Sequence, residues 1–217
     1  MSTTTTSRPA GRRHRRSWPV PVGLILPSAI PLTAGALRIV ERAGGPAVLP
    51  VVDRFDALPV ALTLHVTGSA VFALVGAFQF VPRLRRRHLT WHRHAGRVLV
   101  GAGLLVCGSA VWVTLTYPPQ PGTGDLLFAA RLVVGPAMAA FLTLGFAAVR
   151  RHDIAGHRAW MIRTYALGLG AGTQVFTEGF GGAVFDTDVV TGDLLKTVGW
   201  VINLAVAEWV IRRGARR

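Results

Sequence analysis

Five polar side chains interrupt long apolar stretches of this sequence and are the first candidates for chemistry. They are His65, Arg131, Gln174, Glu178 and Asn203. An ionisable or polar group at membrane depth is costly and usually marks a ligand or ion pathway. Together these residues predict a site for a small anionic or amphipathic ligand. Histidine titrates near neutral pH, so His65 is the expected proton-exchanging member of the site.

A structural interpretation of the same residues is also open. Arg131 and Glu178 carry opposite charges at similar expected depth, and pairing them would offset the cost of burying each charge. Such a pair would lock two helices together without binding anything. The chain would then be a structural or accessory membrane protein.

His92 and His157 predict a second site, near the opposite membrane face. Each is followed directly by an arginine and stands just before an apolar stretch, so both are expected at the same depth. Two histidines on facing helices of a bundle are a typical ligand pair for haem b. Arg97 and Arg163 would then pair with the propionates, which makes a membrane redox module an alternative hypothesis. The opposing possibility is that both rings face the headgroup zone and share no ligand.

Motifs of the common enzyme chemistries are missing from the sequence. It contains no Walker loop, HExxH, CxxC, GxSxG or dinucleotide fingerprint. Its single cysteine, Cys107, excludes a disulfide scaffold. Arginines beside the histidines disfavour a bound metal cation. The sequence therefore favours a protein that is not an enzyme and has no protein-ligated metal.

The composition predicts the elements that hold these residues. Hydrophobic residues make up 51% of the 217 residues, charged residues only 16%, and the mean hydropathy is +0.43. Soluble domains carry about 25% charged residues. The predicted fold class is all-α, a polytopic transmembrane helical bundle with six spans of about 20 residues each. The predicted spans are residues 18–37, 58–81, 98–117, 126–149, 160–184 and 194–211.

The net charge of +14 is explained by where the arginines lie. They cluster before the first span, between spans two and three, between spans four and five, and after span six, while most acids lie in the other connections. The positive-inside rule then places both termini in the cytoplasm and the protein in the cell membrane. The clusters also predict contacts with anionic lipid headgroups, and they remove the argument for a nucleic-acid partner.

The chain is predicted to contain one folded domain. Residues 1–17 are expected to be a disordered basic arm, 18–211 the six-helix membrane domain and 212–217 a basic tail. Pro21, Pro27 and Pro31 predict a kink in the first span. Glycines at helical spacing in the second and fifth spans predict close helix packing.

Two sets of residues resemble a known family. One set is His65-Val-Thr-Gly68, Gly76-Ala-Phe-Gln79-Phe80, Leu84-Arg85-Arg86-Arg87, His92-Arg93 and Gly96-Arg97. The other is His157-Arg158-Ala-Trp160-Met161-Ile-Arg163, then Tyr165-Ala-Leu, Gly172-Thr173-Gln174, Asn203 and Ala207-Glu208-Trp209. The pattern is similar to the bacterial predicted membrane proteins grouped as domain of unknown function 2306. The resemblance implies a bundle of six or seven membrane helices and supplies no established reaction.

Overall fold

A computed structural model describes residues 18–50, 59–185 and 188–216 of the chain. Every regular element in these ranges is helical, which confirms the predicted all-α class. The predicted basic arm, residues 1–17, lies outside the described residues. The helices are α1 (Pro19–Ile25), α2 (Ala29–Arg42), α3 (Pro59–Gln79), α4 (Pro82–Arg87), α5 (Leu89–Thr116), α6 (Asp125–Arg150), α7 (Ile154–Gly168), α8 (Gly170–Val184) and α9 (Val189–Ala215).

Five helices among the described residues are long and apolar enough to cross a membrane. They are Pro19–Arg42, Val60–Gln79, Leu89–Thr116, Asp125–Arg150 and Val189–Ala215. The first of these tightens into a 3-10 turn at Leu26–Ser28, which contains Pro27, as the proline content predicts. The last is longer than expected at both ends, so Arg212 and Arg213 belong to the final turn of α9 rather than to a separate tail.

The predicted fifth span is not one helix. It divides at Leu169 into α7 and α8, each of 15 residues, which is shorter than one membrane crossing. No loop separates the two helices. Leu169, with φ −82° and ψ 2°, is both the C-cap of α7 and the N-cap of α8. Gly168 and Gly170 flank it, and glycine is a poor helix former. Hydropathy does not register such a break.

The helices pack mainly as antiparallel neighbours. α5 lies between α3 and α6, α7 packs on α6, and α9 packs on α7 and α8. The core where α3, α5, α6 and α7 meet contains Phe72, Cys107, Met138 and Tyr165. Large apolar side chains remain on the outside, such as Phe180 at 75% exposure. An extensive apolar exterior is what a lipid-facing surface requires.

The glycines of the second and fifth predicted spans serve packing, as expected. A methyl group on Gly76 would collide with the ring of Tyr165, and one on Gly172 would collide with the carbonyl of Pro27. The Tyr165 hydroxyl also donates a 2.6 Å hydrogen bond to the carbonyl of Ala73. These close approaches join α3 to α7, and α8 to the N-terminal span.

Candidate functional site

A cluster of four charged side chains lies where α6, α8 and α9 meet. We call it the outer charge cluster, after the membrane side that the sequence predicts for it; its members are Arg131, Glu178, Asp193 and Lys196. Lys196 Nζ lies 2.7 Å from Glu178 Oε1. The Asp193 side chain is 1% exposed, and its carboxylate accepts hydrogen bonds from the backbone amides of Gly124 and Leu127 at the start of α6. Both acids are therefore engaged by other groups.

The expected direct pair of Arg131 with Glu178 is not among the ion pairs of the described residues. Glu178 contacts Lys196 instead, because Lys196 projects from α9, which packs directly on α8. Asp193 and Glu178 still act electrostatically on the Arg131 guanidinium. Arg131 is partly buried and makes no hydrogen bond that the structure describes, so its donors are available.

Asp193 was missed by the sequence interpretation, which placed it in a connection before a span at 194–211. In the structure α9 begins at Val189, so Asp193 is already inside the helix. Asp193 and Lys196 are three residues apart, and on a helix that spacing puts both on one face. This spacing in the sequence could have indicated that Asp193 belongs to the same charged site as Lys196.

Gln174 and Asn203 act as polar links between helices. Gln174 Nε2 donates to the carbonyl of Lys196 at 3.0 Å, joining α8 to α9. Asn203 Nδ2 donates to the carbonyl of Ala166 at 3.0 Å, and its Oδ1 accepts a 2.8 Å bond from Thr173. Both ends of the Asn203 amide are therefore engaged, whereas Gln174 is engaged through its Nε2.

His65 lies in another part of the bundle, between α3 and α5. Its Nδ1 is 3.2 Å from Ser109 Oγ, and that hydroxyl donates to the carbonyl of Leu105 at 2.7 Å. No contact between His65 and the outer charge cluster is among those described. The five predicted ligand residues therefore separate into a charged centre at Arg131 and Glu178, a polar link at Gln174 and Asn203, and an isolated His65.

Arg163 and Glu208 form an ion pair between α7 and α9. Arg163 Nε and Nη2 donate to the two carboxylate oxygens at 2.5 and 3.1 Å, and the guanidinium lies 4.7 Å from the Trp160 ring centroid. Arg97 is exposed. The Arg163 guanidinium is therefore engaged by Glu208 and Trp160.

His157 of α7 acts electrostatically on the His92 ring of α5. His157 Nδ1–H donates a 2.9 Å bond to the carbonyl of Gly145. His92 Nδ1 is buried and has no partner among the described residues, and the same is true of both amide atoms of Gln79. The haem hypothesis stays a prediction, and Arg163, one of the two arginines it assigned to the propionates, is paired with Glu208.

No group of three or more potential metal ligands occurs among the residues that the structure describes. The inner face instead combines arginines and histidines with the buried amide of Gln79. Its charge suits an anion, and its polar atoms suit a ligand with hydrogen-bonding groups.

Comparison with known proteins gives one match. The model of a family described as Predicted membrane protein (DUF2306) matches residues 62–211, which is more than half of the chain. No curated protein and no solved structure matches. The matched region contains α5 to α8 entire, with the outer charge cluster, His92 and His157.

Proposed function

The chain belongs to the predicted membrane protein family DUF2306, and we propose that it is a six-crossing protein of the cell membrane that binds a small amphipathic anion at Arg131. α7 and α8 together make the fifth crossing, and both termini are cytoplasmic. The arginines of α4 and of the α6–α7 connection support this orientation, as do the acids Asp125 and Asp188 at the opposite helix ends.

Reporter fusions test this topology. Fusions near residues 50, 120 and 189 should report the outside, and fusions near residues 90, 154 and 217 the cytoplasm. A fusion at 217 that reports the outside would overturn the proposed orientation. If the fusion at 189 reports the cytoplasm, α7 and α8 return to the face they started from and do not cross.

Arg131 carries the binding proposal. It lies six residues inside α6, about 9 Å from the start of that helix. A guanidinium at that depth needs a partner, yet Asp193 is held by backbone amides and Glu178 by Lys196. A carboxylate or similar headgroup would complete the hydrogen bonding of Arg131, while the apolar helix surfaces around it accept a hydrocarbon tail.

Thermal melting of the detergent-purified protein tests the binding. Sodium dodecanoate should raise the melting temperature more than dodecanol, which has the same chain and no charge. A ligand present at 100 times its dissociation constant stabilises by about 2.7 kcal/mol. Arg131→Gln should abolish the difference, whereas Arg97→Gln, at an exposed arginine, should retain it.

The structural interpretation predicts another result. Arg131→Gln would then lower the melting temperature, and dodecanoate and dodecanol would have equal effects on the unsubstituted protein. That outcome would show that the outer charge cluster only holds the helices together, and it would contradict the binding proposal.

A further inference from the structure

Among the residues that the structure describes, buried polar atoms without partners lie at the C-terminal end of α3 and the N-terminal end of α5. They are Nε2 and Oε1 of Gln79 and Nδ1 of His92. Leaving such atoms unpaired in a protein interior is costly, and native structures usually fill the gap with water, an ion or a ligand. One ligand contacting both side chains would satisfy all three atoms.

The register of α3 against α5 places Gln79 about one helical turn from His92. His65 lies beside Ser109, Gly68 beside Val106 and Phe72 beside Gly103. The two helices are therefore antiparallel, and residue numbers rise along α3 by about as much as they fall along α5. Continuing this antiparallel register sets Gln79 opposite Gly96. His92 is one turn further along the same face of α5 as Gly96.

Space is available at this position. A methyl group added to Gly96 would meet no atom within 4 Å. Gly103, two turns away on the same face, is different, because its added methyl would collide with Leu142 and Phe72. The tight α3–α5 contact therefore opens at its inner end. We call Gln79, His92 and Gly96 the inner polar site.

The charge around the inner polar site is positive. Arg85 of α4, Arg93 of α5 and His157 of α7 all act on the His92 ring. Positive surroundings select an anion, while Gln79 Oε1 needs a ligand that also donates a hydrogen bond. A phosphate ester with free hydroxyl groups offers both functions.

We propose that the inner polar site binds a glycerol-phosphate group, and that its source is the headgroup of phosphatidylglycerol. Gln79 Nε2–H and His92 Nδ1–H donate to phosphate oxygens, and a glycerol hydroxyl donates to Gln79 Oε1. Trp91 and Leu89, both exposed at the start of α5, mark this end as the membrane interface. The site is at the opposite end of the bundle from Arg131, so the inference does not rest on the proposed function.

Two glycine substitutions on α5 test the proposal without removing any polar group. Gly96→Leu fills the open space of the inner polar site. Gly101→Leu is its matched control, because a methyl group there also meets nothing within 4 Å and the position is exposed. Both variants should fold, which their melting temperatures will check. Native mass spectrometry of the full chain then measures retained phosphatidylglycerol.

Gly96→Leu should bind phosphatidylglycerol at least about tenfold more weakly than Gly101→Leu. Phosphatidylcholine, which is not anionic, should bind weakly to both variants. Equal phosphatidylglycerol binding by the two would overturn the proposal, and so would equal binding of phosphatidylglycerol and phosphatidylcholine to the unsubstituted chain.

Two further experiments identify which side chains contact the ligand and whether the ligand is a lipid headgroup. Gln79→Leu and His92→Gln should each weaken binding, whereas His94→Gln, at an exposed histidine of the same helix, should not. Soluble glycerol phosphate, added up to millimolar concentration, should fail to displace the lipid. Displacement at micromolar concentration would support the site and overturn its assignment to a lipid headgroup.

Discussion

The buried carboxylate of Asp193 on α9 caps the first turn of α6, accepting a 2.9 Å hydrogen bond from the amide of Leu127. The amide of Gly124 donates to the same carboxylate at 3.0 Å. Amides at a helix start have no partner within their own helix. A side chain 66 residues away along the chain therefore supplies what a local N-cap residue usually does.

Removing this cap should destabilise the protein. We expect Asp193→Ala to lower the free energy of unfolding by about 2–3 kcal/mol, because it leaves the buried amide of Leu127 and the partly buried amide of Gly124 unpaired. Asp193→Asn keeps an acceptor but removes the charge near Arg131, so its effect should be intermediate. Unfolding in mixed detergent micelles measures both, with Asp125→Ala on the exposed face of α6 as the control. A loss no larger than that of the control would contradict the cap.

Glu178 should be coupled energetically to Lys196. A double-mutant cycle with Glu178→Gln and Lys196→Met should give an interaction energy of about 0.5–1 kcal/mol, limited by the partial exposure of Glu178. The cycle of Glu178→Gln with Arg131→Gln should give a smaller value, because those two side chains make no described contact. A larger coupling with Arg131 would restore the pair expected from the sequence.

Arg163 should not tolerate replacement by lysine. The guanidinium donates two bonds to Glu208 and also lies over Trp160, and lysine reproduces neither geometry. Arg163→Lys should lower the free energy of unfolding by about 1–2 kcal/mol although it keeps the charge. Arg97→Lys, at an exposed position, is the control for the effect of an arginine-to-lysine substitution on the free energy of unfolding. Matching effects at positions 163 and 97 would show that charge alone matters.

The first turn of α9 should weaken at acidic pH. Asp188 accepts a 2.7 Å bond from the amide of Thr191, and this backbone bond, with a second from the Thr191 side chain, lowers the pKa of Asp188. Because the pKa of Asp188 is lowered in the folded protein, the ionised carboxylate stabilises the cap at full strength above the usual aspartate pKa of about 3.9. This stabilisation is lost as the pH falls through the lowered pKa.

Hydrogen exchange at the Thr191 amide reports this loss directly. Protection relative to the middle of α9 should be constant above about pH 5 and fall below about pH 4. Asp188→Asn keeps a capping oxygen without the titration and should show a flat profile. The same fall in that variant would assign the change to another group.

The sequence predicts most of the fold because an apolar run of 20 or more residues has few alternatives to a membrane helix. It does not predict the break at Leu169, which depends on backbone geometry. Nor does it predict the partner of Glu178, which depends on which face α9 turns toward α8. The open space at Gly96 arises only from the packing of neighbouring helices.

The close approach of Gly172 to the Pro27 carbonyl has a consequence for how the protein is made. Pro27 leaves the ribosome early, but its contact on α8 is synthesised about 145 residues later. At translation rates of about 5–20 residues per second, that interval is roughly 7–30 s. During this time the first helix can pack on α3 but lacks its contact with α8. Assembly of this bundle is therefore completed by a long-range closure between the earliest and some of the latest residues to be inserted.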